Sequence, residues 1–411
     1  MITELTAGPP TRTDILTRAL TPLVTSSARR MLRWNPKGSV LVELPNGHKA
    51  LFGTPGIGAD AHLRINSYRV IGKALRRGTL GFAEAYIDGD IDSADLTALF
   101  RFFVHNMEGF EEAGRGLFKR RIADKLAHRM RRNTRRGSQR NISEHYDLGN
   151  DFYRLWLDAD MNYSSGIYPE RGKVSLQAAQ EAKLDRVIDL LELAGGEEIL
   201  EIGCGWGAFA RRAAGRHGAQ ITGLTLSREQ LQHAEAAAHA AGLGSSCEFR
   251  LEDYRDTGGT YDRIASIEMI EAVGEENWPR YFRTLHDRLR PGGTAVVQAI
   301  TIAEARYERY RRKPDFIQRY IFPGGMLPTA TIIAGQARRA GLTLDRIERF
   351  GASYARTLRD WRDRFEAAWP QIARLGFDEA FRRKWHYYLC YCEAGFLEGT
   401  IDVGLYRMRK A

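Results

Sequence analysis

The residues best suited to chemistry lie between Glu197 and Phe209. Glu201 stands two places before Gly203, and glycine recurs at Gly205 and Gly207. Ile199 and Leu200 read as the end of a buried strand, and Ala208 onward reads as a helix. Three glycines in such a turn permit positive φ and let a ligand come close to the backbone. In open α/β sheets that crevice lies outside the carboxyl ends of the strands. The spacing is E-x-G-x-G-x-G, so it is not the dinucleotide fingerprint. It also lacks the Lys-Ser/Thr pair with which a phosphate loop holds phosphate and magnesium.

The elements around this turn alternate. Helix is expected over Leu176–Ala194, strand over Glu198–Ile202, helix over Phe209–His217 and strand over Gln220–Leu224. Ser227 reads as the N-cap of a helix over Arg228–Ala241. Cys247–Leu251 and Tyr261–Ile267 are further strands. Trp278–Leu289 is a helix, Pro291-Gly292-Gly293 a turn and Thr294–Ala299 a strand. This rhythm implies a parallel sheet with helices on both faces.

The chain has 411 residues, 43% hydrophobic and 27% charged, which suits two soluble globular domains. It contains no apolar run of ~18 residues to span a bilayer. The N-terminus lacks the basic and apolar regions of a signal peptide. Cys204, Cys247, Cys390 and Cys392 show no zinc spacing, so no metal is expected and a reducing cytoplasm is. A net charge of +10 points to an anionic partner.

Residues 1–115 read as a smaller mixed α+β domain. A helix is expected over Asp14–Leu32, a hairpin around Pro45-Asn46-Gly47, and a helix over Asp95–His105 capped by Ser93 or Asp95. Residues 116–140 read as a linker or amphipathic helix. Ten cations from Lys119 to Arg140 face one acid, Asp124, with Ile122, Leu126 and Met130 four apart. An anionic membrane surface, a solvated linker and nucleic acid are the readings. The lack of interleaved aromatics counts against nucleic acid. Residues 141–411 form the larger domain.

The acidic-then-glycine turn is similar to the S-adenosylmethionine (SAM) signature of class I methyltransferases, which implies a Rossmann-like α/β sheet. Several segments together resemble the cyclopropane-fatty-acyl-phospholipid synthases. They are His145–Tyr153, Met161–Ser164, Leu224–Ser227 with Gln230, Glu271 with Val273-Gly274, Tyr320–Gly325 and Gly351–Leu358. The likeness is dense over 140–400 and looser at Gly81–Tyr86.

That resemblance implies SAM-dependent methylation of the cis double bond of phospholipid acyl chains, giving cyclopropane chains. It also implies a cytoplasmic enzyme held peripherally on the inner face of the membrane. A homodimer stays open. Gly203, Gly205 and Gly207 would admit the methionine part of SAM, and Glu201 would accept from its amino group. Thr225, Leu226 and Gln230 would take the ribose region, and Asp253 and Tyr254 the adenine. Tyr163 and Ser164 would close the methionine end.

In the family a bicarbonate ion serves as base. By the resemblance Glu271 matches its acid, Tyr354 its tyrosine and Ile300 an apolar neighbour. Two positions depart: the family cysteine is Ser165, and the family histidine is Gln298. A neutral amide cannot carry charge or pass a proton at neutral pH, so a methyl- or methylene-branched product is the alternative. Glu268, one helical turn before Glu271, reads as structural or near the cofactor. Trp385, Tyr387, Tyr388 and Tyr391 read as core or as lining of an acyl tunnel.

Overall fold

The computed structural model describes residues 3–5, 37–107 and 148–411. The expected helix over Asp14–Leu32 and the basic run 119–140 lie outside the described residues. The described chain divides into two compact units. One holds residues 3–5 and 37–107 together with Phe377–Glu398, and the other residues 148–376 with Gly399–Ala411.

The first unit carries a mixed five-stranded sheet of β1 (Thr3–Leu5), β2 (Ser39–Glu43), β3 (Lys49–Gly53), β4 (Asp60–Ile65) and β5 (Ile91–Asp92), in the order β1-β3-β2-β4-β5. The β2–β3 hairpin turns at Leu44–His48, where the Leu44 N–H donates to the His48 carbonyl at 2.9 Å. The helix Leu96–His105 begins at Asp95, whose side chain accepts from the Ala98 N–H. Asp95, not Ser93, is therefore the cap.

Helix Glu379–Leu397 belongs to this unit, although sequence order put it in the 141–411 domain. Its contacts explain why. Thr97 Oγ1 donates to Glu393 Oε2 at 2.9 Å. Arg383 donates to the Tyr86 and Ile91 carbonyls while lying 4.2 Å over the Tyr86 ring. Phe100 packs edge-on against Tyr387 and Tyr391 at 4.8 and 5.5 Å. Tyr387 and Tyr391 thus serve the core of the smaller unit.

The second unit is built on a seven-stranded sheet: β6 (Glu198–Ile202), β7 (Gln220–Thr225), β8 (Cys247–Leu251), β9 (Tyr261–Ile267), β10 (Leu289–Ile302), β11 (Leu342–Arg349) and β12 (Ile401–Lys410). The order is β11-β12-β10-β9-β6-β7-β8. Five neighbouring strands are parallel, but β12 runs antiparallel to both β10 and β11. The sheet is therefore mixed rather than wholly parallel.

Strand residues alternate between two cores. Leu200, Ile264, Ala295, Val297 and Tyr406 enter one cluster, whereas Ile199, Ala265, Val296 and Leu405 enter the other. Both sheet faces are thus covered by helices. Each fully buried Leu, Ile or Val on them contributes roughly 1.5–3 kcal/mol.

Pro291-Gly292-Gly293 does not break the chain as a turn. It is absorbed as an irregularity inside β10, between Leu289 and Thr294. Arg290 anchors it by pairing with Asp262 at 2.7 Å. A Cβ at Gly293 would lie 2.8 Å from the Arg290 carbonyl oxygen and 2.9 Å from that of Asp262, so only glycine fits.

Candidate active site

The carboxyl ends of β6, β7, β8 and β9 open into one cavity. Glu201, Gly203 and Gly205 come from the first turn, Thr225, Leu226 and Gln230 from the second, and Tyr254 from the third. Tyr163 and Ser164 close one side. These nine residues are those expected to hold SAM. Gly203, Gly205 and Gly207 have φ of 83°, 52° and 79°, so the turn needs glycine as its spacing suggested.

Two expected cofactor residues stand elsewhere. A Cβ on Gly207 would meet Ala234 at 3.0 Å and Phe249 at 3.1 Å, so this glycine serves packing of the turn and does not line the cavity. Asp253 turns its carboxylate to Arg255, accepting from the Nε at 2.8 Å, and is also absent from the lining. Its neighbour Glu252 lines the cavity instead, together with Lys183 and Trp206. Sequence reasoning passed over these three. The E-D-Y order at 252–254 offered two acids, and only the backbone direction after β8 decides between them.

The lining suits an ammonium and an aromatic base. Glu201 is buried, and its Oε2 has no hydrogen-bond partner. Burial pushes its carboxyl well above the usual range, against the pull of the Lys183 and Arg211 cations. A cationic donor arriving there would satisfy an oxygen whose lack of a partner is costly. The buried hydroxyl of Tyr254 also has no partner. At Gly205 a Cβ would meet nothing within 4 Å, so that face of the turn looks into open space. SAM fits this donor set.

A polar cluster stands at the wall of the cavity. The Ser165 N–H donates to Glu268 Oε1 at 2.9 Å, Gln298 Nε2 donates to the same oxygen at 2.7 Å, and Tyr354 Oη donates to Glu268 Oε2 at 2.6 Å. Ser165 and Gln298 are wholly buried and Tyr354 nearly so. Three of the residues expected around Glu271 therefore converge on Glu268. Glu271 stands apart from them: its Oε1 accepts the Ile300 N–H at 2.5 Å, and its Oε2 is buried without a partner. Burial, then the neighbouring Glu268, pushes the Glu271 carboxyl up to about 8.

Glu268 is not one helical turn before Glu271, because the helix there starts only at Ile270. Its own φ is 50°, in the left-handed region that a non-glycine residue rarely enters. Burial raises its carboxyl, while the three hydrogen bonds and the Lys183 charge pull it down. Lys183 is itself buried, donating to Ser164 Oγ at 2.7 Å, and desolvation brings its ammonium down to about 8. Glu268, unlike Ser165, Gln298, Tyr354 and Glu271, lines the cavity itself.

Aromatic rings pack around this region. Tyr163 lies 5.2 Å from Trp361, 5.6 Å from Trp156 and 6.3 Å from Phe322, and Tyr354 lies 6.0 Å from Trp361. Of the two readings of the aromatic group at 385–391, core or tunnel lining, Tyr387 and Tyr391 follow the first, packed on Phe100.

A sequence model of the mycolic acid cyclopropane synthetase family matches residues 133–405. The chain belongs to the mycolic acid cyclopropane synthetase family. Membership makes it a SAM-dependent methyltransferase that modifies lipids. One family relative, the tuberculostearic acid methyltransferase of Mycobacterium tuberculosis, is 42% identical over 336 residues, 80% of this chain and 78% of its own. The cyclopropane-fatty-acyl-phospholipid synthase of Escherichia coli is 33% identical over 348 residues, 84% of this chain and 87% of its own. Among solved structures, a mycolic acid cyclopropane synthase complexed with SAH and CTAB gives a TM-score of 0.62 at 31% identity. It is covered over 98% of its length by 66% of this chain. Among the described residues no helix is long and apolar enough to cross a membrane.

Proposed function

We propose that this family member methylates the cis double bond of unsaturated acyl chains in membrane phospholipids, and that its product is a methyl- or methylene-branched chain. The observation that carries the reading is the Ser165–Glu268–Gln298–Tyr354 cluster at the wall of the cofactor cavity. An isolated olefin offers no proton whose removal would activate it. The protein must align the chain, exclude water and then receive a proton from a cationic product. A buried carboxylate beside aromatic walls answers those needs.

SAM, when bound, supplies a methyl group as an electrophile. Glu201 receives its ammonium end, Tyr254 the adenine, and Thr225, Leu226 and Gln230 the region between. Tyr163, Trp156 and Trp361 keep the neighbourhood apolar. Support for a branched product comes from Ser165 and Gln298 standing where the family has cysteine and histidine. It comes also from the 42% identity to a relative named as a methyltransferase. A cyclopropane product is the second reading, supported by the likeness to the Escherichia coli synthase.

The smaller unit supports a phospholipid substrate, since the solved mycolic acid synthase is matched end to end by two thirds of this chain. The enzyme would then work from the cytoplasmic face, held by the cations of 119–140. Lipids from cells expressing the chain provide the test. Mass spectrometry is expected to show acyl chains heavier by one CH2, and proton NMR an olefinic methylene or a methyl branch. Upfield ring protons alone would return the reading to cyclopropane, and no mass gain would overturn it.

A further inference from the structure

We propose that the Glu268 carboxylate is itself the base that ends the reaction, built into the chain in place of a diffusible anion. The proposal rests on the reading of function above and names the acceptor of the proton.

Three observations carry it. The first is a count of lone pairs. An ionised carboxylate has about four acceptor sites. Ser165 N–H and Gln298 Nε2 fill the two on Oε1, and Tyr354 Oη fills one on Oε2. One site on Oε2 stays open, and Glu268 is the member of the cluster that lines the cavity.

The second is the backbone. A non-glycine residue at φ 50° carries strain of order 1 kcal/mol and persists only where its surroundings dictate it. Here the Glu268 N–H donates to the Gln298 carbonyl at 2.9 Å, which fixes the turn and aims the side chain at the cluster. Glycine would fit this backbone with less strain, so the carboxylate has been set where the chain alone does not favour it.

The third is exclusion by occupancy. The donors that could hold a small anion between Ser165, Gln298 and Tyr354 already converge on a carboxylate. Nearby Glu271, its carboxyl pushed up to about 8, is largely neutral at pH 7 and adds no competing charge.

The π pair of the olefin would enter a bond to the sulfonium methyl of SAM as the S–CH3 bond breaks, its electron pair staying on sulfur in the departing thioether, and a cation is left on the acyl chain. Glu268 Oε2 then accepts a proton. An O–H bond forms, a C–H bond breaks, and its electron pair fills the cationic carbon. Glu268 becomes neutral and returns the proton to water between turnovers. Gln298 and Tyr354 are positioning residues for this carboxylate.

Two measurements on the full chain test it. Titration with 13C-labelled bicarbonate, followed by carbon NMR, needs no turnover. The wild type is expected to bind none at the cluster. Glu268→Gly, which suits the left-handed backbone, is expected to gain binding that Tyr354→Phe removes. Wild-type binding that Tyr354→Phe abolishes would overturn the proposal.

In bicarbonate-free buffer with unsaturated phospholipid vesicles, wild-type turnover is expected to persist. Glu268→Gln should lose about 10²–10⁴-fold with SAM affinity unchanged. Loss of wild-type turnover on bicarbonate removal, or full activity in Glu268→Gln, would also overturn it. A wild type that methylates no acyl chain would refute the proposed substrate instead, and the bicarbonate titration would still decide what fills the cluster.

Discussion

Gln298 grips Glu268 twice: its backbone carbonyl accepts the Glu268 N–H at 2.9 Å, and its side-chain Nε2 donates to the Glu268 carboxylate at 2.7 Å. The same Nε2 lies 3.4 Å from the Ser165 carbonyl. Two acceptors around one amide nitrogen fix which way the amide faces. Position 298 therefore sets both the backbone and the charge of its partner, and a change there reaches the proton acceptor without touching substrate.

Tyr354→Phe removes the donor on Glu268 Oε2. That hydrogen bond favours the ionised form, so its loss raises the Glu268 pKa further. Turnover should fall by about 10²–10³-fold at neutral pH, with SAM affinity kept. The acidic limb of the kcat profile should move to higher pH. An unshifted limb would mean that Tyr354 only packs.

Gly205→Val places a branched side chain on the open side of the first turn, at a φ of 52° that valine tolerates poorly. Calorimetry should show SAM affinity reduced at least tenfold. A folded variant with unchanged affinity would move the cofactor away from this turn.

Glu271→Gln tests the carboxyl whose Oε2 is buried without a partner. Its folded pKa of about 8 lies above the ordinary value of 4.5, so its contribution to stability is complete below pH 4.5 and is lost as pH rises toward 8. The slope is at most about 1.4 kcal/mol per pH unit. The amide does not titrate, so the variant should gain thermal stability over wild type progressively from pH 5 to pH 8. Parallel melting curves across that window would refute the assigned burial.

Replacing Arg131, Arg132, Arg135 and Arg136 with Gln should weaken binding to anionic vesicles and flatten its salt dependence. The attraction is screened within about 8 Å at physiological ionic strength. Vesicle co-sedimentation measures it. Equal binding by both forms would make the run an inert linker, and tight salt-dependent binding to DNA would restore the nucleic-acid reading.

Much of this was legible in the sequence because it is written in local chemistry. The glycine turn after β6, the caps Ser227 and Asp95 and the hairpin at Pro45–Gly47 depend on residues within a few positions of one another. What escaped depends on distant partners. Pro291-Gly292-Gly293 stays in a strand because β9 and Asp262 hold it there. The aromatic helix at 379–397 is rich in buried apolar residues whichever core it serves, and only Thr97, Tyr86 and Phe100 reveal which. Glu268 and Glu271 are near-equivalent as letters. A left-handed φ, which no side-chain pattern announces, separates their roles.

Helix Glu379–Leu397 completes the first unit, and β12 then enters the sheet of the second between β10 and β11. Neither unit is a continuous stretch of polypeptide. During synthesis the smaller unit waits for a helix nearly three hundred residues downstream of its strands, and the catalytic sheet keeps a gap between β10 and β11 until residues 401–410 emerge. Both units therefore close only once residues 379–410 have been made. A cut between the two units, near residue 140, would part the smaller unit from the helix that completes it yet leave all seven strands of the catalytic sheet on one fragment, so the smaller unit is the one that calls for circular permutation rather than truncation.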